Sequence, residues 1–261
     1  MKLTSLKFLL SACFALATCF LSSNCSADVS LAVDFTGTDN GGGVAAVIGD
    51  FQAQDAALDS SAAVNFIQTD GGGGFNAEGD VFALTGTATG GATPGAISSS
   101  VTLLDIPNDP ARTGTNGGFN AGFFDGTSFA GIVNDYLTIN GQDNILLEVD
   151  TSAIVAGSTV TFVAYSHGDQ DNQVAGLELT AGGQVQTSGL TTAAQPFQTF
   201  TFVQGVGETS LTLELLNDTG NSQFGAINGF SISSVAPAVP EPSSLMLLAM
   251  GTLGLVVRRK R

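Results

Sequence analysis

The part of this sequence most suited to binding a metal is the acidic run beside its single histidine. Asp169, Asp171 and Asn172 bring three oxygen-bearing side chains into one polar segment. Calcium is a hard cation that takes carboxylate and amide oxygens, so such a segment can wrap Ca²⁺. The residues that follow lack the turn glycine and the closing glutamate of an EF-hand loop. An acidic turn without a metal is the simpler interpretation, and Ca²⁺ at these three residues is the alternative.

Residue types that commonly act in catalysis are scarce between Asp28 and Val239. All three cysteines precede Asp28, and His167 is the only histidine. A Ser-His-Asp triad would have to use His167, which its polar neighbours predict to be an exposed loop residue. Two carboxylates could act as in glycoside hydrolysis, but the chain has no Trp and two Tyr to serve as sugar platforms. We expect no catalytic residue and no enzyme.

The charge of this region is almost entirely negative. Of the 23 acidic residues in the chain, all but Glu241 lie there, beside one basic residue, Arg112. The region therefore carries −21, while the formal charge of the whole chain is −16. Nucleic acid is excluded as a partner, because its binding requires clustered Lys and Arg. Self-repulsion should keep the region soluble and weaken its folded state at low salt.

Alternating apolar and polar residues predict β-strands through most of this region. The clearest runs are Val29 to Phe35, Ser158 to Tyr165 and Leu211 to Leu215, each with one apolar and one wet face. Clusters of Gly, Asn and Asp between the runs predict turns. A short helix is expected at Gln52 to Ala57. Further strands are expected at Asp80 to Thr85, Ser99 to Asp105, Tyr136 to Ile139, Ile145 to Val149, Ala175 to Thr180, Phe200 to Val203 and Ala226 to Ile232.

This pattern predicts a single all-β domain over residues 28–234. Many short strands joined by turns are typical of a β-sandwich, and we expect one of jelly-roll type, with a β-barrel or a β-solenoid as alternatives. The pentapeptide Gly-Gly-Phe-Asn-Ala occurs at Gly73 to Ala77 and again at Gly117 to Ala121. Two copies are too few for a repeat array, so one domain is favoured.

Residues 1–27 have the composition of a secretory signal peptide. Lysines at the start precede an apolar run from Phe8 to Leu21, and Cys25-Ser26-Ala27 supplies small residues for cleavage. Signal peptidase is therefore an expected partner, and the mature chain should begin near Asp28 without any cysteine. A lipoprotein signal with Cys19 as the lipidated residue is the alternative.

The final segment, residues 235–261, differs from everything before it. Pro240, Glu241 and Pro242 should be extended, because proline fixes φ and disfavours helix at the preceding residue. An uncharged segment of about 15 residues follows, short against the roughly 20 of an ordinary membrane span. The terminal cations should stay on the cytoplasmic side. The apolar and basic residues that define this predicted membrane helix are Leu245, Leu247, Leu248, Leu253, Leu255, Arg258, Arg259, Lys260 and Arg261.

This order of triplet, apolar segment and basic end resembles the PEP-CTERM sorting tail of surface proteins from Gram-negative-type bacteria. The resemblance implies that an exosortase, a membrane-embedded cysteine protease, recognises Pro240-Glu241-Pro242 and cuts nearby. It implies export, transient anchoring in the inner membrane by the C-terminal helix, and delivery to the cell surface or the medium. A permanent single-pass anchor is the alternative interpretation.

Both ends together with the catalytically poor middle favour a structural, adhesive or binding role. We expect an exported protein of the cell surface or the extracellular matrix, with extracellular polysaccharide as a candidate partner. A calcium- or carbohydrate-binding module is one alternative. A secreted hydrolase that uses two carboxylates is the other.

Overall fold

The computed structural model describes residues 28–36, 46–68, 78–89, 94–105, 112–115, 124, 127, 129–133, 135–140, 145–168, 174–216 and 224–237. The chain divides into two compact units, of which one is Ala27–Ala236. The other unit, Met1–Ser26 with Pro237–Arg261, contains nearly all of the predicted signal peptide and of the predicted sorting tail. Apart from Pro237, its residues lie outside the described ones.

The described residues form fourteen strands and one short helix. The helix is α1 (Ile48–Gln52). The strands are β1 (Asp28–Thr36), β2 (Val64–Gln68), β3 (Val81–Thr89), β4 (Gly95–Asp105), β5 (Arg112–Thr115), β6 (Asp135–Asn140), β7 (Ile145–Asp150), β8 (Thr159–Tyr165), β9 (Gly176–Ala181), β10 (Gln184–Thr187), β11 (Phe197–Val203), β12 (Ser210–Leu216), β13 (Phe224–Ile227) and β14 (Gly229–Val235).

One large sheet contains eleven of these strands in the order β10-β9-β12-β7-β4-β3-β1-β14-β8-β11, with β2 beside β1. All its pairings are antiparallel except that of β2 with β1. The sheet folds over on itself, because β3, β4, β7, β12 and β9 share one hydrophobic core with β1, β14, β8 and β11. The small sheet β13-β6-β5 adds Leu137 and Ile227 to that core. The predicted all-β sandwich is confirmed.

The alternation in the sequence places the core residues on the inner faces. Leu211, Leu213 and Leu215 of β12 are buried, while the residues between them are half-exposed. Phe162 of β8 stacks on Phe230 of β14 with ring centroids 5.4 Å apart. Each fully buried side chain of this size contributes about 1.5–3 kcal/mol to folding.

The sheet turns a corner at β1, which changes neighbours along its length. Its first residues pair with β3 and its later residues with β2. Asn65 of β2 bridges the gap: its amide accepts a hydrogen bond from the Thr85 N–H (2.7 Å) and donates to the carbonyl oxygens of Thr85 (3.0 Å) and Ala32 (2.9 Å). Next to it, a Cβ on Gly86 would lie 2.8 Å from the carbonyl oxygen of Ser30. A side-chain amide thus replaces backbone pairing where β3 leaves β1.

The two halves of the sheet differ on their outer faces. We call β1, β2, β14, β8 and β11 the covered half-sheet, because Ala46, Phe51 and Leu58 pack on Val163 and Tyr165 of its outer face. We call β3, β4, β7, β12, β9 and β10 the open half-sheet. Its outward side chains on β3, β7 and β12 are exposed or half-exposed.

β10 and β11, the strands at the two ends of the sheet order, are joined by a hydrogen bond. The Gln186 side-chain amide of β10 donates to the Thr201 carbonyl oxygen of β11 at 3.0 Å. Gly182 and Gly183 form the two-residue turn before β10, with φ of +61° and +66°. Glycine adopts such angles without strain, and this geometry suits a tight hairpin.

Several strands differ from the sequence prediction. The pattern does not predict β2, β5 or β10, which are four or five residues long and carry Asn, Gln, Thr or Arg within them. The predicted strand Ala226 to Ile232 is two strands, β13 and β14, which are separated at Asn228.

The helix also differs from its predicted position. It spans Ile48–Gln52 rather than Gln52 to Ala57. The carboxylate of Asp50 accepts a hydrogen bond from the Val47 N–H at 2.9 Å and so satisfies a free donor at the helix start. Further along, the Asp55 carboxylate accepts one from the Ala57 N–H at 3.3 Å and turns the chain instead of continuing the helix.

Candidate functional site

The strands of the sandwich run between two ends, and the start of β1 and the end of β14 share one of them. These strands are antiparallel neighbours, with Ser30 opposite Ser233. We call the end with Asp28 and Val235 the terminus pole. We call the opposite end, where β8 finishes at Tyr165, the loop pole.

The long connections of the fold leave and re-enter the strands at the loop pole. The chain after β2, β4, β8 and β12 starts there, as the strand register shows. The predicted calcium ligands Asp169, Asp171 and Asn172 belong to one of these connections and lie outside the described residues. Their described neighbours, Gly168 and Val174, flank that connection. Within the part of the chain that is described, no group of three or more His, Cys, Asp or Glu side chains could hold a metal.

His167 lies beside that connection and is fully buried, so the prediction of an exposed loop histidine is wrong. Its backbone N–H donates to the Asn228 side-chain oxygen at 2.7 Å, and its Nδ1 lies 2.6 Å from the carbonyl oxygen of Gly168. Its ring packs against Phe124 in a T-shaped arrangement, with ring centroids 5.3 Å apart. These contacts hold the ring in the interior.

Asn228 organises this corner, and the sequence patterns did not identify it. Its N–H donates to the Tyr165 carbonyl oxygen at 2.9 Å, and its own carbonyl accepts from the Phe35 N–H at 2.7 Å. Nearby, Ser166 Oγ donates to the Ala226 carbonyl oxygen. An asparagine within an apolar strand run was the available signal, because a buried amide requires partners.

The sequence patterns also missed the buried carboxylate of Asp55. It lies between the covering segment and the outer face of the covered half-sheet. It accepts hydrogen bonds from Ser233 Oγ at 2.7 Å and Ser231 Oγ at 3.5 Å, besides the one from the Ala57 N–H. Burial raises the pKa of Asp55, and the bonds from Ser233, Ala57 and Ser231 offset this only in part. The carboxylate ties the covering segment to β14, the last strand.

Tyr165 lies near this carboxylate. It belongs to a second hydrophobic cluster, on the outer face of the covered half-sheet, which consists of Ala32, Ala46, Phe51, Leu58, Ile132, Val163 and Tyr165. Its ring meets Phe51 edge-on at 5.4 Å, and its hydroxyl donates to the Phe51 carbonyl oxygen at 3.5 Å. Burial raises the pKa of Tyr165, and the negative charges of Asp55 and Asp50 raise it further. The phenol therefore remains protonated and has a structural place in the fold.

Paired carboxylates do occur, on the outer face of the open half-sheet. Glu214 of β12 is directly opposite Glu178 of β9, and Glu148 of β7 is opposite Thr212 one row away. All three glutamates are half-exposed. They lie on an outward sheet surface, whereas acid–base hydrolysis uses carboxyl groups on two sides of the bond to be cut.

The predicted sorting residues Pro240, Glu241 and Pro242 lie outside the described residues. The same holds for the predicted membrane residues Leu245, Leu247, Leu248, Leu253, Leu255, Arg258, Arg259, Lys260 and Arg261. Among the residues with described structure, no helix is long and apolar enough to cross a membrane.

We call the unit Ala27–Ala236 the body of the protein. Solved structures resemble this protein at low sequence identity. The extracellular domain of ANXUR1 from Arabidopsis thaliana is 11% identical over 52% of this chain and 40% of that chain, with a TM-score of 0.38. TmCBM61 in complex with β-1,4-galactotriose is 12% identical over 51% and 80%, with a TM-score of 0.28. The CBM36-1 domain of a xylanase from the hindgut metagenome of Trinervitermes trinervoides is 17% identical over 54% and 99%, also at 0.28. Such scores carry no argument about function.

The C-terminal segment is more informative than these likenesses. No curated protein matches the chain. Residues 238–261 match the family described as the PEP-CTERM protein-sorting motif, as the triplet, the apolar segment and the basic end predict. The chain therefore carries a PEP-CTERM protein-sorting motif at its C-terminal end, immediately after the last strand of the sandwich.

Proposed function

We propose that this protein is an exported, non-enzymatic module of the cell surface or extracellular matrix, cut from its C-terminal tail after export. A PEP-CTERM motif implies export, membrane anchoring during sorting and processing by an exosortase. The match at residues 238–261 is the observation that carries the proposal. After processing, the β-sandwich acts outside the membrane in a structural, adhesive or binding role.

The arrangement of the body supports that role. Both ends of the sandwich lie at the terminus pole, next to the chain that leads to the motif. Other molecules can therefore contact the long connections at the loop pole and the outer face of the open half-sheet. Extracellular polysaccharide is our proposed partner, with cations as bridges if the polysaccharide is acidic, because the body carries a net charge of −21.

Mass spectrometry of the protein in its bacterial host tests the processing claim. The product outside the cell should begin near Asp28 and lack Arg258 to Arg261. Alanine substitution of Pro240, Glu241 and Pro242 should leave the full tail attached in the membrane fraction. A wild-type product that carries Arg258 to Arg261 in the medium would contradict the proposal.

A calcium- or carbohydrate-binding module is the more specific form of this role. The observation that favours it is the position of the connection between Gly168 and Val174 at the loop pole, since that connection contains Asp169, Asp171 and Asn172. Titration calorimetry with Ca²⁺ should show heat for the wild type and none for Asp169→Ala with Asp171→Ala. No heat and no shift in melting temperature for the wild type would remove calcium from the proposal.

The non-enzymatic part of the proposal is supported by the burial of His167 and by the open position of the glutamate pair. A carboxylate-dependent hydrolase remains the competing class. Release of reducing sugar from host polysaccharide that is abolished by Glu178→Gln and by Glu214→Gln would favour the hydrolase. We expect no such release.

A further inference from the structure

The last strand of the body is an interior strand of the sheet. β14 pairs with β1 on one side and along its whole length with β8 on the other. Its inward residues Phe230 and Ile232 belong to the main core. Its outward residues Ser231 and Ser233 bond to Asp55. The sandwich is therefore complete only when residues 229–235 have taken their place.

The first residues of the predicted mature chain hold the end of this strand. The Asp28 carboxylate accepts a hydrogen bond from the Ala236 N–H at 2.8 Å. The Val29 N–H donates to Ser234 Oγ at 2.9 Å. The ordered body thus reaches Ala236, one residue beyond the end of β14.

The surface around this exit is made of turns that are bonded to each other. The chain from Thr151 to Ser158 and the chain from Gln204 to Thr209 both lie at the terminus pole. The Gly157 N–H donates to the Gln204 carbonyl oxygen and the Thr151 N–H to the Thr209 carbonyl oxygen, each at 2.8 Å. β14 ends at this pole between β1 and β8, so the chain that leads to the motif leaves the sheet with a paired strand on each side.

The sequence leaves a short spacer between the body and the sorting triplet. Three residues, Pro237, Ala238 and Val239, separate Ala236 from Pro240. A fully extended chain spans at most about 3.6 Å per residue, so Pro240 is within about 14 Å of Ala236 along the chain. Any residue released from the body lengthens this reach.

We propose that the folded body limits access of the exosortase to its motif, and that Asp28 is the positioning residue that sets the spacer length. The inference rests on the proposed function, because it concerns the same cut. Asp28 acts through Ala236. While the carboxylate accepts the Ala236 N–H, Ala236 stays in the body and the spacer begins at Pro237. The cut then depends on the number of residues after Ala236.

Spacer variants expressed in the host test this directly. Deletion of Ala238 and Val239 should lower the fraction of cut protein at least tenfold. Replacement of the same two residues by glycines keeps the length and should leave the cut fraction unchanged. Insertion of Gly-Ser-Gly-Ser after Pro237 should maintain or increase it.

A second substitution tests the role assigned to Asp28. In the deletion background, Asp28→Ala should restore cutting severalfold, because Ala236 is then released and joins Pro237 in the spacer. Asp28→Asn keeps an oxygen that can accept the Ala236 N–H, so it should not restore cutting. Asp59→Ala is the matched control, because that carboxylate also accepts a backbone N–H at 2.8 Å, but from Ser61 in its own turn and not from the chain that leads to the motif. The mass of each product reports its N-terminus as well, so altered signal-peptide removal is seen in the same spectrum.

The outcomes separate the two proposals. If the wild type keeps its tail, the proposed function itself is wrong. If the wild type is cut and the deletion is cut equally well, only the spacer inference is overturned. Equal restoration by Asp28→Ala, Asp28→Asn and Asp59→Ala would remove Asp28 from the inference.

Discussion

The outer faces of the two half-sheets differ in the surroundings of their carboxylates. On the covered half-sheet, Ser231 and Ser233 are buried and bond to the carboxylate of Asp55. On the open half-sheet, Glu178 and Glu214 are opposite each other at half exposure. Where the chain folds back over the sheet, one carboxylate is tolerated because hydroxyl groups satisfy it. Where water remains, two glutamates lie opposite each other at the surface.

The strongest test of this comparison removes the apolar part of the cover. Phe51 is fully buried in the second hydrophobic cluster. Phe51→Ala should lower the free energy of unfolding by about 3–5 kcal/mol, because it leaves a cavity above β8. Phe66→Ala is the control on β2, where the ring is 51% exposed, and it should cost far less. Denaturant unfolding of the purified, processed protein measures both, and equal losses would show that the cover does not stabilise the sheet.

The next largest effect concerns the buried carboxylate. Asp55→Ala should cost about 1–3 kcal/mol, because Ser231, Ser233 and the Ala57 N–H lose their acceptor. Asp55→Asn keeps one acceptor oxygen and should cost less. If alanine and asparagine were equally mild in denaturant unfolding, the hydroxyl groups would not depend on Asp55.

The raised pKa of Asp55 also predicts a pH dependence. Between about pH 4 and its raised pKa, the folded state holds a proton that the unfolded state has lost. Stability from this group therefore decreases as the pH rises through that window. Asp55→Asn removes the titration, so its melting temperature should improve relative to wild type as the pH rises from 4 to 7. A difference that does not change with pH would contradict this assignment.

Salt should stabilise the body by a smaller amount. The net charge of −21 opposes compaction, and ions screen it over about 8 Å at physiological ionic strength. The melting temperature of the processed protein should therefore rise between 10 mM and 500 mM NaCl. Potassium chloride should act equally, whereas an effect of CaCl₂ well beyond that of matched ionic strength would indicate specific binding. A melting temperature that is independent of NaCl would show that the repulsion is already compensated.

The smallest expected effect is on the open half-sheet. Like charges opposite each other on neighbouring strands are destabilising, so Glu178→Gln should raise stability by roughly 0.2–0.5 kcal/mol at low salt. Glu148→Gln is the matched control, because threonines rather than a carboxylate lie opposite Glu148. Thermal unfolding at low salt should show a larger gain in stability for Glu178→Gln than for Glu148→Gln. A larger gain for Glu148→Gln would show that long-range repulsion, not the pair of Glu178 and Glu214, determines the effect of charge on this face.

The strands with regular alternation could be predicted because their pattern is local. Ser158 to Tyr165 and Leu211 to Leu215 coincide with β8 and β12 to within one residue. β2 and β5 could not, because their pairing partners lie 20 or more residues away in sequence. Asn65, for example, reaches Thr85 to hold β2 against β3. β10 pairs locally with β9, but it has four residues with a single apolar one, Val185, which is too short a pattern to predict a strand.

The buried polar groups show the same limit. Local polarity places His167 in an exposed loop, but Asn228, 61 residues later, holds it inside. Asp55 has its hydroxyl partners in β14, 176 and 178 residues away. The sorting motif is the opposite case, because residues 238–261 are contiguous and match the motif without any knowledge of the fold.

The contact between Gln186 and Thr201 has a consequence for aggregation of the sandwich. Exposed strand edges are templates on which other chains can add strands and aggregate. Here the strands at the two ends of the sheet order are joined by a hydrogen bond, and a neutral amide occupies the Thr201 carbonyl that a foreign strand would use. Copies of the sandwich at high concentration would then have one fewer free edge through which to join.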